Sequence, residues 1–279
     1  MSYHWNVANG WPSASPFDSK LVVAALRGID KALAPADRAA RESRVVTAAL
    51  EPRQVIRLQG VLTPRESTDE QVMIWAAALL GSYGLLRPNE FLGSYLHQDR
   101  NLRAHQLEFF VQRDTPCPIK LAPGSADNPS SVRLRLGATK ADQLGTNKPL
   151  VLTGSAVVSA LWRWSRRRLA YSADAQGGPF FRVEGQRPLS IRTLLTRLET
   201  AMRTVDPAWS HRLTGRCFRR GGATELVRDG AAIDDIKAAG RWKSTPMVFT
   251  YSEPAAVQQR AAAAAAGTAS PLVRPPHRL

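Results

Sequence analysis

An arginine cluster, a glycine pair, a tryptophan and a tyrosine crowd residues 214–251 of this 279-residue chain. Arg216, Arg219 and Arg220 fall at i, i+3 and i+4 and share one side of a helix, with Gly221 and Gly222 directly after them. Trp242 lies in a Gly-Arg-Trp-Lys-Ser turn, and Tyr251 follows nine residues later. Like charges at helical spacing repel by roughly 0.2–0.5 kcal/mol per pair, and the N-terminal end of a helix is the wrong end for cations. Both objections vanish if a polyanion sits there, because a helix N-terminus is itself an anion site. A guanidinium fork contacts two phosphate oxygens at once, and an indole N–H donates one hydrogen bond. The competing reading is a solvated basic face. The paired glycines weigh against it, since each costs roughly 1 kcal/mol relative to alanine inside a helix. Such a cost points to another backbone, or a ligand, in close approach.

These groups need a scaffold. Phe218, Gly222, Ala223, Leu226 and Val227 recur at helical spacing and face a core, with Thr214 as N-cap and Asp229-Gly230 as the stop. Upstream, Gly84-Leu-Leu-Arg87-Pro-Asn-Glu90 sets Arg87 at a helix entrance, because Pro88 suits a first turn. A surface arginine beside an acid would read the same way and is worth little. Residues 106–112 and 131–136 read as strands, with Val132, Leu134 and Leu136 alternating against polar neighbours. A returning strand from Pro149 places Lys140 on a hairpin, where a lysine is ordinarily a solubilising charge.

Residues 155–171 form a helix in which Trp162 and Trp164 alternate with Arg163, Arg166, Arg167 and Arg168. That pattern suits nucleic-acid contact and an ordinary amphipathic helix about equally. Further helices are expected from Thr47, from Ser67 to Leu80 (buried on most faces), and over 190–204, 232–239 and 244–251. The expected fold is mainly α with one small antiparallel β-sheet (α+β). Before it, residues 18–33 read as an amphipathic helix and 34–47 as a linker; the tail from Arg260 is low in complexity and should end in disorder.

Composition narrows the partner. Lys+Arg number 38 against 23 Asp+Glu, a formal charge of +15. That favours nucleic acid or an anionic surface. No apolar run nears the roughly 18–20 residues of a membrane span, and the first residues hold no signal-peptide core. Cys117 and Cys217 make neither a metal spacing nor a disulfide framework, which fits a reducing intracellular compartment. The five histidines show no ligand pattern, so neither metal nor cofactor is expected.

Taken in order, the motifs resemble the catalytic domain of the tyrosine recombinases, the phage-integrase family, over about residues 48–255. Arg87 with its acidic neighbour Glu90 resembles the first arginine motif, and Lys140 in Ala-Thr-Lys-Ala-Asp-Gln the hairpin lysine. Arg219 in Cys-Phe-Arg-Arg-Gly-Gly-Ala-Thr fills the second arginine position, Trp242 the His/Trp position and Tyr251 the nucleophile position. The RRGGAT and GRWKS wording is similar to recombinases of mobile elements, including Crypton-type transposons. Two departures stand out. The H-x-x-R histidine position holds Arg216, a donor that is never a base near neutral pH. Residues 1–47 leave room for at most a remnant of the helical core-binding domain that usually precedes the catalytic one.

The resemblance implies that Tyr251 attacks a DNA phosphodiester to give a 3′-phosphotyrosine and a free 5′-hydroxyl, without metal or ATP. Arg87 and Arg219 would neutralise the five-coordinate transition state, Trp242 would donate one hydrogen bond, and Lys140 would protonate the leaving 5′-oxygen. The implied partner is double-stranded DNA, with self-association as a tetramer on it, inside the cell: in a nucleus if eukaryotic, in the cytoplasm or nucleoid if not. The expected division is a short N-terminal segment over 1–47, the catalytic domain over 48–255 and a low-complexity tail over 256–279. Two other readings stay open. One is a relative that binds DNA without strand transfer, suggested by Arg216 and the short N-terminus. The other is a basic helical adaptor for RNA or an acidic protein, which rests on charge alone.

Overall fold

The computed structural model describes residues 48–94, 97–113, 117–137, 149–169, 178–183 and 185–265. The expected 18–33 helix, the 34–47 linker, Lys140 and the tail beyond residue 265 lie outside them.

The core is built around one helix. After α1 (Pro52–Arg57) and the short α2 (Gln59–Leu62), helix α3 runs from Asp69 to Tyr83. Thr68 caps it: its hydroxyl accepts from the Gln71 N–H at 3.2 Å, and the Gln71 side chain accepts from the Thr68 N–H at 2.8 Å. Asp69 and Glu70 fill the first turn, where the helix dipole favours acids. Every residue from Val72 to Ser82 is buried, as the continuous apolar run predicts.

A 3₁₀ turn over Pro88–Glu90 follows, not the longer helix that Pro88 suggested. The chain then forms a two-stranded ribbon, β1 (Leu92–Ser94) with β2 (His97–Asn101), which the sequence did not disclose. A four-stranded antiparallel sheet comes next: β3 (Leu107–Val111), β4 (Ile119–Lys120), β5 (Ser131–Leu134) and β6 (Leu150–Leu152), in the order β4-β3-β5-β6. Leu107 opposes Leu134, Phe109 opposes Val132, and Val132 opposes Leu152. All five are buried, so one face of the sheet is apolar. It packs on helix α4 (Ser155–Arg168), where the Phe109 and Trp162 rings lie 4.8 Å apart. The other face carries Glu108, with Lys120 at 2.7 Å and Arg133 at 3.8 Å.

Helix α4 does not hold its arginines out as one basic face. Arg163 donates to the Ser67 hydroxyl at 3.1 Å, and Arg167 to the Ser67 carbonyl at 3.0 Å and Asp69 at 2.6 Å. These bonds fix the start of α3, so the amphipathic-helix reading holds for that pair. Helix α5 (Ile191–Val205), capped by Ser190, buries Leu194, Leu198, Ala201 and Met202.

Four helices complete the domain: α6 (Cys217–Arg228), α7 (Ile233–Ala239), α8 (Pro246–Tyr251) and α9 (Pro254–Ala265). Thr214 is not the N-cap of α6. It begins the preceding turn, where its carbonyl accepts from the Cys217 N–H at 2.9 Å, and Arg216 occupies the cap position. The two glycines do mark a close approach, and the neighbour is backbone. A Cβ on Gly221 would stand 2.0 Å from the Leu50 carbonyl oxygen, and one on Gly222 2.5 Å from that of Ser82. Helix α6 ends with Gly230 at φ +77°, the Gly230 N–H bonding the Val227 carbonyl and the Ala231 N–H that of Leu226. This is a Schellman cap with glycine at its left-handed position. Helix α9 runs across residue 255, with Ala256 fully buried. Among the described residues no helix is long and apolar enough to cross a membrane.

Candidate active site

The site is assembled around one carboxylate. Glu90, held by the 3₁₀ turn, accepts from the Arg87 backbone N–H at 3.0 Å. Both its oxygens accept from Nη2 of Arg219, at 2.9 and 3.0 Å. Arg241 Nη2 stands 3.6 Å from Oε2, and Arg87 Nη1 stands 4.0 Å from Oε1. Three guanidiniums thus share one anion, and the excess positive charge has no carboxylate to balance it within this group. Arg219 also donates through Nε to the Leu85 carbonyl at 2.8 Å. Burial pulls its pKa below the usual arginine value, while Glu90 pushes the other way. A guanidinium starts so high that it stays charged near neutrality.

Tyr251 closes the assembly. Its hydroxyl accepts from Arg87 Nη2 at 2.5 Å. Its ring stacks on Trp242, with centroids 5.2 Å apart and planes 10° from parallel. The guanidinium carbons of Arg87 and Arg219 each lie 5.9 Å from the ring centre. Trp242 and Tyr251 belong to an apolar cluster with Leu85, Ala223, Val227, Ile236, Val248 and Ala256, so the back of α6 and the start of α9 seat both rings.

An open cleft of about 870 Å³ lies in front of Tyr251. Arg87, Arg216, Arg220 and Tyr251 line it, together with Thr214, Gly215, Ile191 and Met247. The three basic residues read together in the sequence therefore separate. Arg216, exposed at the start of α6, and Arg220 face the cleft, while Arg219 is 5% exposed and turns inward. Trp242 is buried too. Of the four motif residues Arg87, Arg219, Trp242 and Tyr251, the first and last line the cleft, and Arg219 and Trp242 lie behind, against the tyrosine ring. Lys140 lies outside the described residues. Among those residues no group of three or more His, Cys, Asp or Glu is placed to hold a metal ion.

Arg241 joins the site without a clear mark in the sequence. It has φ +54°, a left-handed conformation rare for a residue with a side chain. Its Nη1 donates to the Gly84 carbonyl at 3.2 Å. The one sequence signal was its place in the Gly-Arg-Trp-Lys-Ser turn.

No family model matches the sequence, and no curated protein matches it. Solved structures do match in fold. The XerH site-specific recombinase bound to palindromic difH substrate, in a post-cleavage complex, aligns with a TM-score of 0.53 at 13% identity, over 79% of this chain and 53% of that one. The pre-cleavage complex of XerH with difH gives 0.50 at 13% identity, over 74% and 50%. The Tn1549 transposon integrase bound to transposon right-end DNA gives 0.49 at 14% identity, over 96% and 76%. The chain spans about half the length of the XerH protein it matches. At this identity the likeness is one of fold: a mainly helical domain with a small antiparallel sheet, as in tyrosine recombinase catalytic domains.

Proposed function

We propose that this chain is a tyrosine-type DNA strand transferase that cuts and rejoins double-stranded DNA at specific sites through a 3′-phosphotyrosine. One observation carries the reading: the Tyr251 hydroxyl is hydrogen-bonded to Arg87 at the wall of an arginine-lined cleft, with Arg219 against the same ring. A nucleophile and two forked cations within reach of one another are what attack on an anionic phosphodiester requires.

In the reaction, the Tyr251 oxygen forms a bond to phosphorus and its proton leaves to solvent. The P–O5′ bond breaks, and the 5′-oxygen takes a proton, from Lys140 in this reading. The phosphotyrosine keeps the energy of the broken ester, so a 5′-hydroxyl can reverse the step without ATP. Arg87 and Arg219 gather the charge on the non-bridging oxygens, and Arg216, facing the cleft, adds a third donor. Work on two strands calls for self-association on DNA, as a tetramer.

A second reading is favoured by Arg216 itself. If its position requires a proton acceptor, the chain binds DNA and transfers no strand. Incubation with a nicked suicide substrate separates the two, because it traps any covalent intermediate. Adduct from wild type and none from Tyr251→Phe supports strand transfer. Tight DNA binding without adduct supports the second reading.

A further inference from the structure

Two helices of this domain end against the rules of capping, and they end at the same place. Helix α3 has Gly84 as its last half-helical residue and Leu85 at the left-handed position, φ +48°. The Leu85 N–H bonds the Ser82 carbonyl and the Leu86 N–H that of Gly81. Helix α7 repeats this with Gly240 and Arg241: the Arg241 N–H bonds the Ala238 carbonyl and the Trp242 N–H that of Lys237. Both are Schellman caps, a motif that strongly prefers glycine at the left-handed position. Helix α6 obeys the preference with Gly230. Leu85 and Arg241 are the only non-glycine residues with positive φ among those described.

The two irregular caps face each other across Glu90. Leu85 in its left-handed conformation turns two successive carbonyls toward two guanidiniums. Arg219 Nε takes the Leu85 oxygen at 2.8 Å, and Arg241 Nη1 takes the Gly84 oxygen at 3.2 Å. Arg241 Nη2 stands 3.6 Å from Oε2 of Glu90, an ion pair without a hydrogen bond, while both Glu90 oxygens accept from Arg219. Backbone strain of this kind persists where the surroundings over-determine it, and functional sites are where it gathers.

We propose that Arg241 is a positioning residue: its side chain locks the Glu90 carboxylate and the Gly84–Leu85 turn together, and through them fixes the guanidinium of Arg219 behind Tyr251. The catalytic consequence rests on the strand-transfer reading; the positioning itself does not. Arg241 also precedes Trp242, so the same turn sets the indole that stacks on Tyr251. A purely structural cap makes the opposite demand. Glycine at residue 241 would then serve as well as arginine or better, because it removes the strain.

Arg241→Gly therefore separates the two cases. Two readouts are taken: exchange of the Arg219 Nε proton by NMR, and single-turnover adduct formation on a suicide substrate. Positioning predicts an unchanged or higher melting temperature. The Arg219 Nε proton should exchange roughly tenfold faster or more, as its protecting contacts loosen. Adduct formation should fall on the order of 100-fold, the loss typical of a catalytic group displaced by about 1 Å, with DNA affinity unchanged. Arg241→Lys keeps the charge and the strain but loses the fork, and should lie between wild type and Arg241→Gly in both readouts. Wild-type exchange and wild-type rate in Arg241→Gly would overturn the proposal, and so would equal behaviour of the two variants. Should wild type itself form no adduct, the strand-transfer reading fails while the exchange rates still decide the role of Arg241.

Discussion

Trp242 and Tyr251 stack face to face, 5.2 Å between ring centres and 10° from parallel, although nine residues and a turn separate them in sequence. The stack leaves Tyr251 only its hydroxyl edge to present, and that edge meets Arg87. The indole nitrogen of Trp242 is buried and has no hydrogen-bond partner among the described residues. A buried unpaired donor is costly, commonly about 1–3 kcal/mol; in the proposed strand transfer a phosphate oxygen takes it up.

Trp242→Phe keeps a ring under Tyr251 and removes that donor. Adduct formation should fall on the order of 100-fold, as for loss of one donor to a transition-state oxygen, with only a small loss of stability. Trp242→Ala should in addition lose about 3–5 kcal/mol, the usual result of emptying a buried aromatic site. Urea unfolding and single-turnover cleavage of both variants check this. A Trp242→Phe protein at full rate would remove the indole N–H from the site.

Arg216 is exposed and lines the cleft. If it acts as a hydrogen-bond donor, Arg216→Lys and Arg216→His should both retain adduct formation. If its position requires a proton acceptor, Arg216→His should accelerate the reaction by roughly 10²–10⁴-fold, the range of general acid–base help. The donor role is expected here, because every other motif residue within the described region reaches the site. Rates across the three proteins decide it.

Gly221 faces the Leu50 carbonyl with no room for a methyl group, whereas a Cβ on Gly60 in α2 would meet no atom of the described residues within 4 Å. Gly221→Ala should lose about 1–3 kcal/mol or more through overpacking. Gly60→Ala should gain up to about 1 kcal/mol from helix propensity. Denaturant midpoints test the pair, and equal effects would mean that α6 does not pack on the 48–51 segment as described.

Burial pushes the Cys217 thiol up to about 12, while Cys117 is exposed. In the native protein at pH 8, Cys117 should react with iodoacetamide and Cys217 should not; both should react in denaturant. The folded value is raised above the unfolded one of about 8.5. Its contribution to stability is therefore complete below about pH 8.5 and is lost as pH rises toward 12. Mass spectrometry of alkylated protein reads the first expectation, and alkaline melting of Cys217→Ala against wild type reads the second.

Much of the scaffold was legible because its signals are local. The Thr68 capping box, the apolar run of α3 and the alternation of Val132 and Leu134 each act within a few residues. The motif residues Arg87, Arg219, Trp242 and Tyr251 were legible through their types and order. What stayed hidden depends on distant partners. Helical spacing does not show that Arg219 turns inward while Arg216 and Arg220 face the cleft; the far Glu90 and Leu85 turn it. The cost of Gly221-Gly222 announced a close approach, and only the fold revealed that the Leu50 and Ser82 carbonyls make it. The arginines of α4 suit nucleic-acid contact and an ordinary amphipathic helix alike, and only the fold shows that Ser67 and Asp69 claim two of them. Arg241 was silent because its role begins with a left-handed backbone that its own side chain disfavours.

The Tyr251 hydroxyl oxygen is tested most directly by digestion of the covalent protein–DNA adduct with trypsin and nuclease, followed by mass spectrometry of the nucleotide-bearing peptide. Strand transfer by Tyr251 predicts a single modified peptide, Ser244 to Arg260, with the 3′-phosphonucleotide on Tyr251 and a free 5′-hydroxyl on the released strand. A nucleotide attached to any other residue, or to any of the other four tyrosines of the chain, would contradict it.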